Sequence, residues 1–268
     1  MELDLEVCRS IAVRNGLPLQ FVFKEFHIIN IIGETAGAAF SSKNPLVLKG
    51  GTALNKVYLK KLQRFSEDID FDLVIKNADQ KLMESAKEIA SQIKGYDIEE
   101  FRRVKDTVQF YCIYKTPLNK DHVRIDISPK KLATAKPLQN SSVYSEFTHS
   151  SASGIIVYSI EDLTARKMNA LANRAEGKDI YDVSAAMPLC APNMLKQAIK
   201  NMLESEEIKI DVYTFITKML KKLDNTDSAK IRNITNPFIP SAYRPKNWEE
   251  LKRDLMLKLE EFQKRTNP

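Results

Sequence analysis

Positions 68–73 read Asp-Ile-Asp-Phe-Asp-Leu, an alternation that is hard to use in anything but a β-strand. Successive side chains on a strand point to opposite faces, so three carboxylates share one face and three apolar groups the other. Residues two apart lie roughly 6.6 Å from each other. At an effective dielectric of about 20, two carboxylates at that spacing repel by about 2 kcal/mol. A counterion offsets that repulsion; a solvated edge strand, screened by water, tolerates the same sequence. Upstream, the apolar run Leu46-Val47-Leu48 stops at Gly50-Gly51, and paired glycines after a strand mark a place where something approaches the backbone closely, a phosphate being one candidate. Thr52 is the expected N-cap of a helix in which Leu54, Val57, Tyr58 and Leu62 recur at amphipathic spacing. The positive end of that helix and the charge of Lys56 favour an anion at the turn. A phosphate cradle beside paired metal-binding carboxylates is what nucleotidyl or phosphoryl transfer requires.

The rest of the chain supplies a scaffold and a few further candidates. From Leu19 to Phe40 the apolar residues Leu19, Val22, Phe23, Phe26, Ile29 and Ile32 predict a helix. Within it, His27 has apolar neighbours and reads as structural, and an exposed helix pair is one of two readings of Lys24-Glu25. Leu82, Ala86, Ile89 and Ile93 outline a second helix that Gly95 can end. Thr107–Lys115 and Asp121–Ser128 read as a hairpin across a Pro-Leu-Asn-Lys turn. In its second strand Arg124, Asp126 and Ser128 alternate with apolar residues, so Asp126 lies on a polar face able to pair beside Asp68 and Asp70; an ordinary surface aspartate fits equally. Residues 141–153, rich in serine and without periodicity, read as a loop leading to a short strand at Ile155–Tyr158. Ser159-Ile160-Glu161-Asp162 opens a helix as a capping box. At about 100° per residue its Lys167 and Arg174 fall on the apolar arc, where they either meet anions or snorkel to the rim. Beyond Pro188 the pattern is helical, with lysines at 218, 221 and 222, and Asn247-x-x-Glu250 caps a last helix.

Composition sets the outer bounds. A chain of 268 residues suffices for one large domain or two modest ones. Cys8, Cys112 and Cys190 are far apart, which predicts reduced thiols rather than a disulfide framework. Three histidines without ligand spacing argue against zinc. The amino terminus, MELDLEV, is acidic where a signal peptide is basic, and no run approaches the roughly 18 apolar residues of a membrane span, so the expected location is cytoplasmic, with no membrane partner. A net charge of +6 around an acidic centre places the basic excess elsewhere, as a docking polyanion requires.

Gly-Gly-Thr-Ala-Leu-x-Lys at 50–56, followed by Arg-Phe-Ser-Glu-Asp-Ile-Asp-Phe at 64–71, resembles the signature of the AbiEii/AbiGii toxin family, nucleotidyltransferases of the polymerase-beta-like superfamily. The likeness extends over roughly Leu19 to Val183, and within it Lys24-Glu25 resembles a Lys-acid pair that the family has at this place, the other reading of these two residues. Lys167, Arg174, Gly177 and Asp182 resemble the family's downstream motifs, although this chain has Lys178-Asp179 where the family more often has Arg-Asp. The resemblance implies an α+β architecture: a polymerase-beta-like nucleotidyltransferase domain, with a mixed sheet flanked by helices, over residues 1–158, then a helical domain over 159–268 that completes the nucleotide cleft. Asp68, Asp70 and Asp126 are the expected ligands of two Mg²⁺ ions. Gly50, Gly51, Thr52, Lys56 and Ser66 are expected to bind the NTP, Lys167 to neutralise charge developing on it, and Asp182 to orient the nucleotide or Lys167. The implied reaction is transfer of NMP from an NTP to a hydroxyl, with tRNA as acceptor, in a growth-arresting phage-defence toxin opposed by a cognate antitoxin. Two alternatives stay open: the same chemistry on a protein or small molecule, and a catalytically idle nucleotide- or antitoxin-binding module.

Overall fold

The computed structural model describes residues 3–41, 45–74, 78–131 and 133–266; Met1 and Glu2 of the acidic amino terminus lie outside them. Asp4 caps the first helix, α1 (Leu5–Asn15), by accepting from the backbone of Glu6 and Val7. Its apolar side packs Cys8 and Ala12 against Val22 and Phe23 of α2 (Leu19–Ser41), the helix expected from 19 onwards. A seven-stranded mixed sheet follows, built from β1 (Leu46–Lys49), β2 (Asp68–Leu73), β3 (Asp97–Val104), β4 (Thr107–Lys115), β5 (Lys120–Pro129), β6 (Gln139–Tyr144) and β7 (Ser151–Val157) in the order β3-β4-β5-β2-β1-β7-β6. The β2–β5 and β1–β7 pairs are parallel and the others antiparallel. β4 and β5 form the expected hairpin, closed by a bond from Thr116 N–H to the Asn119 carbonyl. Helix α4 (Ala78–Ser91) packs Leu82, Ala86 and Ile89 into the core beside β3, β4 and β5.

Two expectations fail here for physical reasons. The serine-rich stretch is not a loop: Gln139–Tyr144 is the edge strand β6, paired antiparallel to β7. Of β6 only Val143 is buried, so there was no buried face to impose a period on the sequence. The second concerns the helix after the glycines. α3 (Gly50–Ala53) continues as a π-helical segment, Leu54–Leu59, and ends in a 3₁₀ turn, Lys60–Leu62, where Lys60 takes a positive φ of 47°. The wider winding buries Leu54 and Leu59, five apart, and leaves Leu62 42% exposed, so the 3.6-residue face does not form.

The same winding turns Lys56 inward. Its ammonium group is enclosed, bonded to the carboxylate of Glu25 on α2, with Gln63 Oε1 at 3.4 Å and the Phe147 ring 4.6 Å away. Glu25 is fully buried too, so it is no surface partner of Lys24, which pairs instead with Asp121 at 3.3 Å. Burial holds the Lys56 pKa below the ordinary lysine value, and Glu25 opposes that fall. His27, on the same helix, is structural as expected: Nδ1 lies 3.1 Å from the Tyr96 hydroxyl, the ring stacks on Tyr114 at 3.7 Å, and burial lowers its pKa to about 4.

Contacts divide the chain into two compact units, Met1–Lys130 with Leu138–Val157, and Lys131–Pro137 with Tyr158–Pro268. The second unit is helical. α5 (Ile160–Asn173) is capped by Ser159, which accepts from Asp162 N–H, and packs on α6 (Gly177–Ala186), α7 (Pro192–Ser205) and α8 (Val212–Asp224). α9 (Ser228–Thr235) and α10 (Trp248–Thr266) complete it, the latter capped by Asn247 as expected. Among the described residues no helix is long and apolar enough to cross a membrane.

Removing one partner of a buried ion pair leaves an uncompensated charge. Lys56→Met is therefore expected to lower unfolding stability by about 3–5 kcal/mol. The double variant Glu25→Leu/Lys56→Met recovers most of that loss, and urea unfolding of the three proteins measures both effects.

Candidate active site

β2 runs parallel to β5 in a register that sets Asp70 opposite Asp126 and Asp68 opposite Arg124. Strand alternation then gathers Asp68, Asp70, Arg124 and Asp126 on one face, the arrangement the sequence pattern anticipated for the acids. Asp72, third in the row, is different: it is 2% exposed, and Lys49 of β1 donates to it at 2.6 Å, so a buried pair absorbs that charge. Arg124 donates to Asp68 Oδ2 at 2.7 Å. Its Nε lies 3.4 Å from Asp126 Oδ1, an ion-pair distance, but the two are not aligned as a hydrogen bond, and this buried oxygen accepts none.

Asp126 carries the electrostatic strain of the cluster. Burial lifts its pKa from the ordinary 3.8 to about 6, Asp70 and Asp68 add to the rise, and Arg124 and a hydrogen bond from Gln109 oppose it. The glycine turn adds a steric constraint. Gly50 has φ of +72°, and a Cβ there would lie 2.2 Å from Asp70 Oδ2. The group that approaches the bare backbone is thus the Asp70 carboxylate, and left-handed φ and close contact both call for glycine.

The remaining expected site residues are distributed as follows. Thr52 is not the N-cap; Lys49 holds that position, and Thr52, buried in the first turn, donates its hydroxyl to the Asp68 carbonyl. Gly51 and Ser66 are buried as well. Lys56 departs furthest from expectation: enclosed against Glu25, it presents no charge to an anion at the turn, because the π-helical winding points it into the core. In the helical unit Lys167 bonds Asp179 Oδ1 at 3.2 Å and Asp182 Oδ2 at 3.0 Å, both aspartates being fully buried. Arg174 grips Asp179 with two bonds, Nε to Oδ2 at 2.7 Å and Nη2 to Oδ1 at 3.1 Å. The anions that Lys167 and Arg174 required are these aspartates. Lys178, where the family favours arginine, lies 3.4 Å from the centroid of the Phe238 ring.

Sequence reasoning gave no role to Arg124 and placed Glu25 in a pair with Lys24 rather than with Lys56. Arg124 was findable, since it alternates in phase with Asp126. Glu25 offered only its place beside Phe26 and Phe23 in α2, which does not name Lys56 as its partner. Carboxylate oxygens suit hard divalent cations. The buried Asp126 oxygen that accepts no hydrogen bond, level with Asp70, is what such an ion would satisfy. Among the described residues no three His, Cys, Asp or Glu side chains converge closely enough to hold an ion, Asp68 being drawn to Arg124.

The raised pKa of Asp126 has a signed consequence. A folded state that holds the proton more tightly than the unfolded chain loses stability as pH rises from about 4 to about 6. In metal-free buffer the melting temperature of the wild type should fall across that window more than that of Asp126→Asn, which carries no titrating group there; equal slopes would remove Asp126 as the source.

The family profile of the nucleotidyl transferase AbiEii toxin, type IV toxin–antitoxin system, matches residues 36–265. Two solved structures share the fold at low identity. MenT4, a nucleotidyltransferase toxin of Mycobacterium tuberculosis, is 14% identical over 99% of this chain and 91% of its own, with a TM-score of 0.63. JHP933 of Helicobacter pylori is 18% identical over 93% and 94%, with a TM-score of 0.56. No curated protein sequence matches the chain. The signature at 50–71 lies within the profile match, and the chain belongs to the AbiEii nucleotidyltransferase toxin family of type IV toxin–antitoxin systems.

Proposed function

We propose that this nucleotidyltransferase transfers NMP from an NTP to a hydroxyl of tRNA with Mg²⁺ as cofactor, acting in the cytoplasm as a growth-arresting toxin in phage defence. Membership of a toxin–antitoxin family implies an NTP substrate and a cognate antitoxin. One observation carries the catalytic part: Asp70 and Asp126 stand level on neighbouring parallel strands, with a buried Asp126 oxygen that accepts no hydrogen bond.

In this reading Asp68, Asp70 and Asp126 hold two Mg²⁺ ions, and Asp68 gives up Arg124 to do so. Bound there, Mg²⁺ supplies a Lewis acid that neutralises the triphosphate and acidifies the acceptor hydroxyl. Asp126 accepts the acceptor's proton. Gly50, Gly51 and Thr52 offer backbone N–H groups to the triphosphate, and Ser66 adds its hydroxyl. Thr52's hydroxyl is committed to Asp68, so its backbone alone serves. Lys167, oriented by Asp179 and Asp182, is the cation for charge developing on the leaving pyrophosphate. Lys56 drops out of the nucleotide set and holds the helix in place.

The test is incubation with each α-labelled NTP, Mg²⁺ and total cellular RNA. Label should appear on tRNA-sized RNA and fall to background in Asp70→Asn, whose metal-free stability stays level or rises because one repelling charge is gone. Rising salt should slow the reaction steeply, since each phosphate contact contributes about −0.7 to −0.9 to the slope of log affinity against log salt. Label on a protein or metabolite, or transfer from a γ-labelled NTP, would replace this reading with the corresponding rival.

A further inference from the structure

The helical unit contains a cavity of about 630 Å³ that none of the residues assigned above to metal or NTP lines. Four cations face it: Arg174 at the end of α5, Lys178 in the first turn of α6, Lys222 on α8 and Lys230 on α9. Two acids share the lining, and both are engaged. Asp227 accepts the Ala229 and Lys230 backbone N–H groups as the cap of α9, and Glu176 lies 3.6 Å from Arg174. The remaining wall is apolar, formed by Ile231, Ile234 and the Phe238 ring. α6 also starts here. Its N-cap residue makes no side-chain bond to the first turn, and a Cβ on Gly177 would lie 2.1 Å from Thr235 Oγ1. Glycine at 177 is therefore what lets α6 and α9 meet at this wall.

We propose that this cavity binds a nucleoside monophosphate group, carried by a free nucleotide or by the phosphorylated end of an RNA chain. The volume lies within the about 300–1,000 Å³ of small-ligand sites, too roomy for a phosphate alone. Lys222 and Lys230 answer a phosphate from the rim, Lys178 and Arg174 add positive potential although Arg174 is shared with Asp179, and the start of α6 lies beside them. The apolar wall of Ile231, Ile234 and Phe238 answers a base by burial, irrespective of its identity, with Lys178 already over the Phe238 ring. The chemistry assigned to the cavity is independent of the proposed transfer reaction; only an RNA source for the ligand rests on that reading.

Binding to the full chain in EDTA, measured by calorimetry with AMP, adenosine and inorganic phosphate, tests the proposal. AMP should bind, and adenosine and phosphate should each bind at least tenfold more weakly. Lys222 and Lys230 are exposed, so Lys222→Glu/Lys230→Glu should fold normally, weaken AMP tenfold or more, and leave unchanged the rise in melting temperature that NTP with Mg²⁺ is expected to give through the proposed transfer site. Asp70→Asn should bind AMP like the wild type, which separates this site from the transfer reaction. A short oligoadenylate with a 5′-phosphate that binds as tightly as AMP, while its 5′-hydroxyl form does not, identifies an RNA end as the ligand. AMP binding with rejection of both oligonucleotides identifies the free nucleotide. AMP binding indifferent to the double charge reversal, phosphate binding as tightly as AMP, or loss of NTP stabilisation in the double variant would overturn the proposal.

Discussion

Like charges brought together on neighbouring parallel strands are the constraint around which the first unit is arranged. Parallel pairing of β2 with β5 sets two carboxylates level with each other, where antiparallel pairing in another register could have separated them. The fold meets the resulting repulsion with a cation at each end of the row, Arg124 on Asp68 and Lys49 on Asp72. In the middle, level with Asp70, Asp126 has its pKa lifted chiefly by burial and further by Asp70 and Asp68, with Arg124 opposing the rise. The flanks of the row are thus neutralised by salt bridges, and the raised pKa of Asp126 falls at its centre.

The glycine turn and the π-helical segment serve that point from behind. Gly50 lets the Asp70 carboxylate lie against the start of α3, and Thr52 ties the same turn to the Asp68 carbonyl. Wider winding then carries Lys56 into the core to meet Glu25, anchoring the helix to α2 through a bond no solvent reaches. Because both charges are enclosed, sliding the helix would strand one of them, and that cost fixes the turn relative to β2. Rigidity near the carboxylates thus comes from a charge pair on the far side of the helix rather than from the carboxylates themselves.

Much of this was legible in the sequence wherever burial imposes a period. The acidic strand, the hairpin carrying Asp126 and the caps at Ser159 and Asn247 each couple a local pattern to one geometry. β6 left no such trace, because an exposed edge strand has only Val143 to bury. The inward turn of Lys56 was hidden for a different reason: a π-helical segment has its own period, and the amphipathic template placed Leu62 where solvent is. The Glu25–Lys56 contact joins residues 31 apart, and no spacing rule reaches that far. Chemistry-bearing residue types were recognisable from motif and alternation; which cation serves which anion was decided by packing.

That distinction matters most in the helical unit, where Lys167 and Arg174 share a single carboxylate. Asp179 is fully buried between them, and Lys167 has a second partner in Asp182. Neither aspartate can lose all its cations without leaving a buried charge unpaired, so the group stays closed in the absence of other anions. Arg174, however, is half exposed. An anion drawn to its guanidinium competes with Asp179, and Asp179 in turn leans more heavily on Lys167. Asp182 holds the lysine's other side throughout. The position of Lys167 is therefore set by two buried acids, one of which also answers to a charge at the surface.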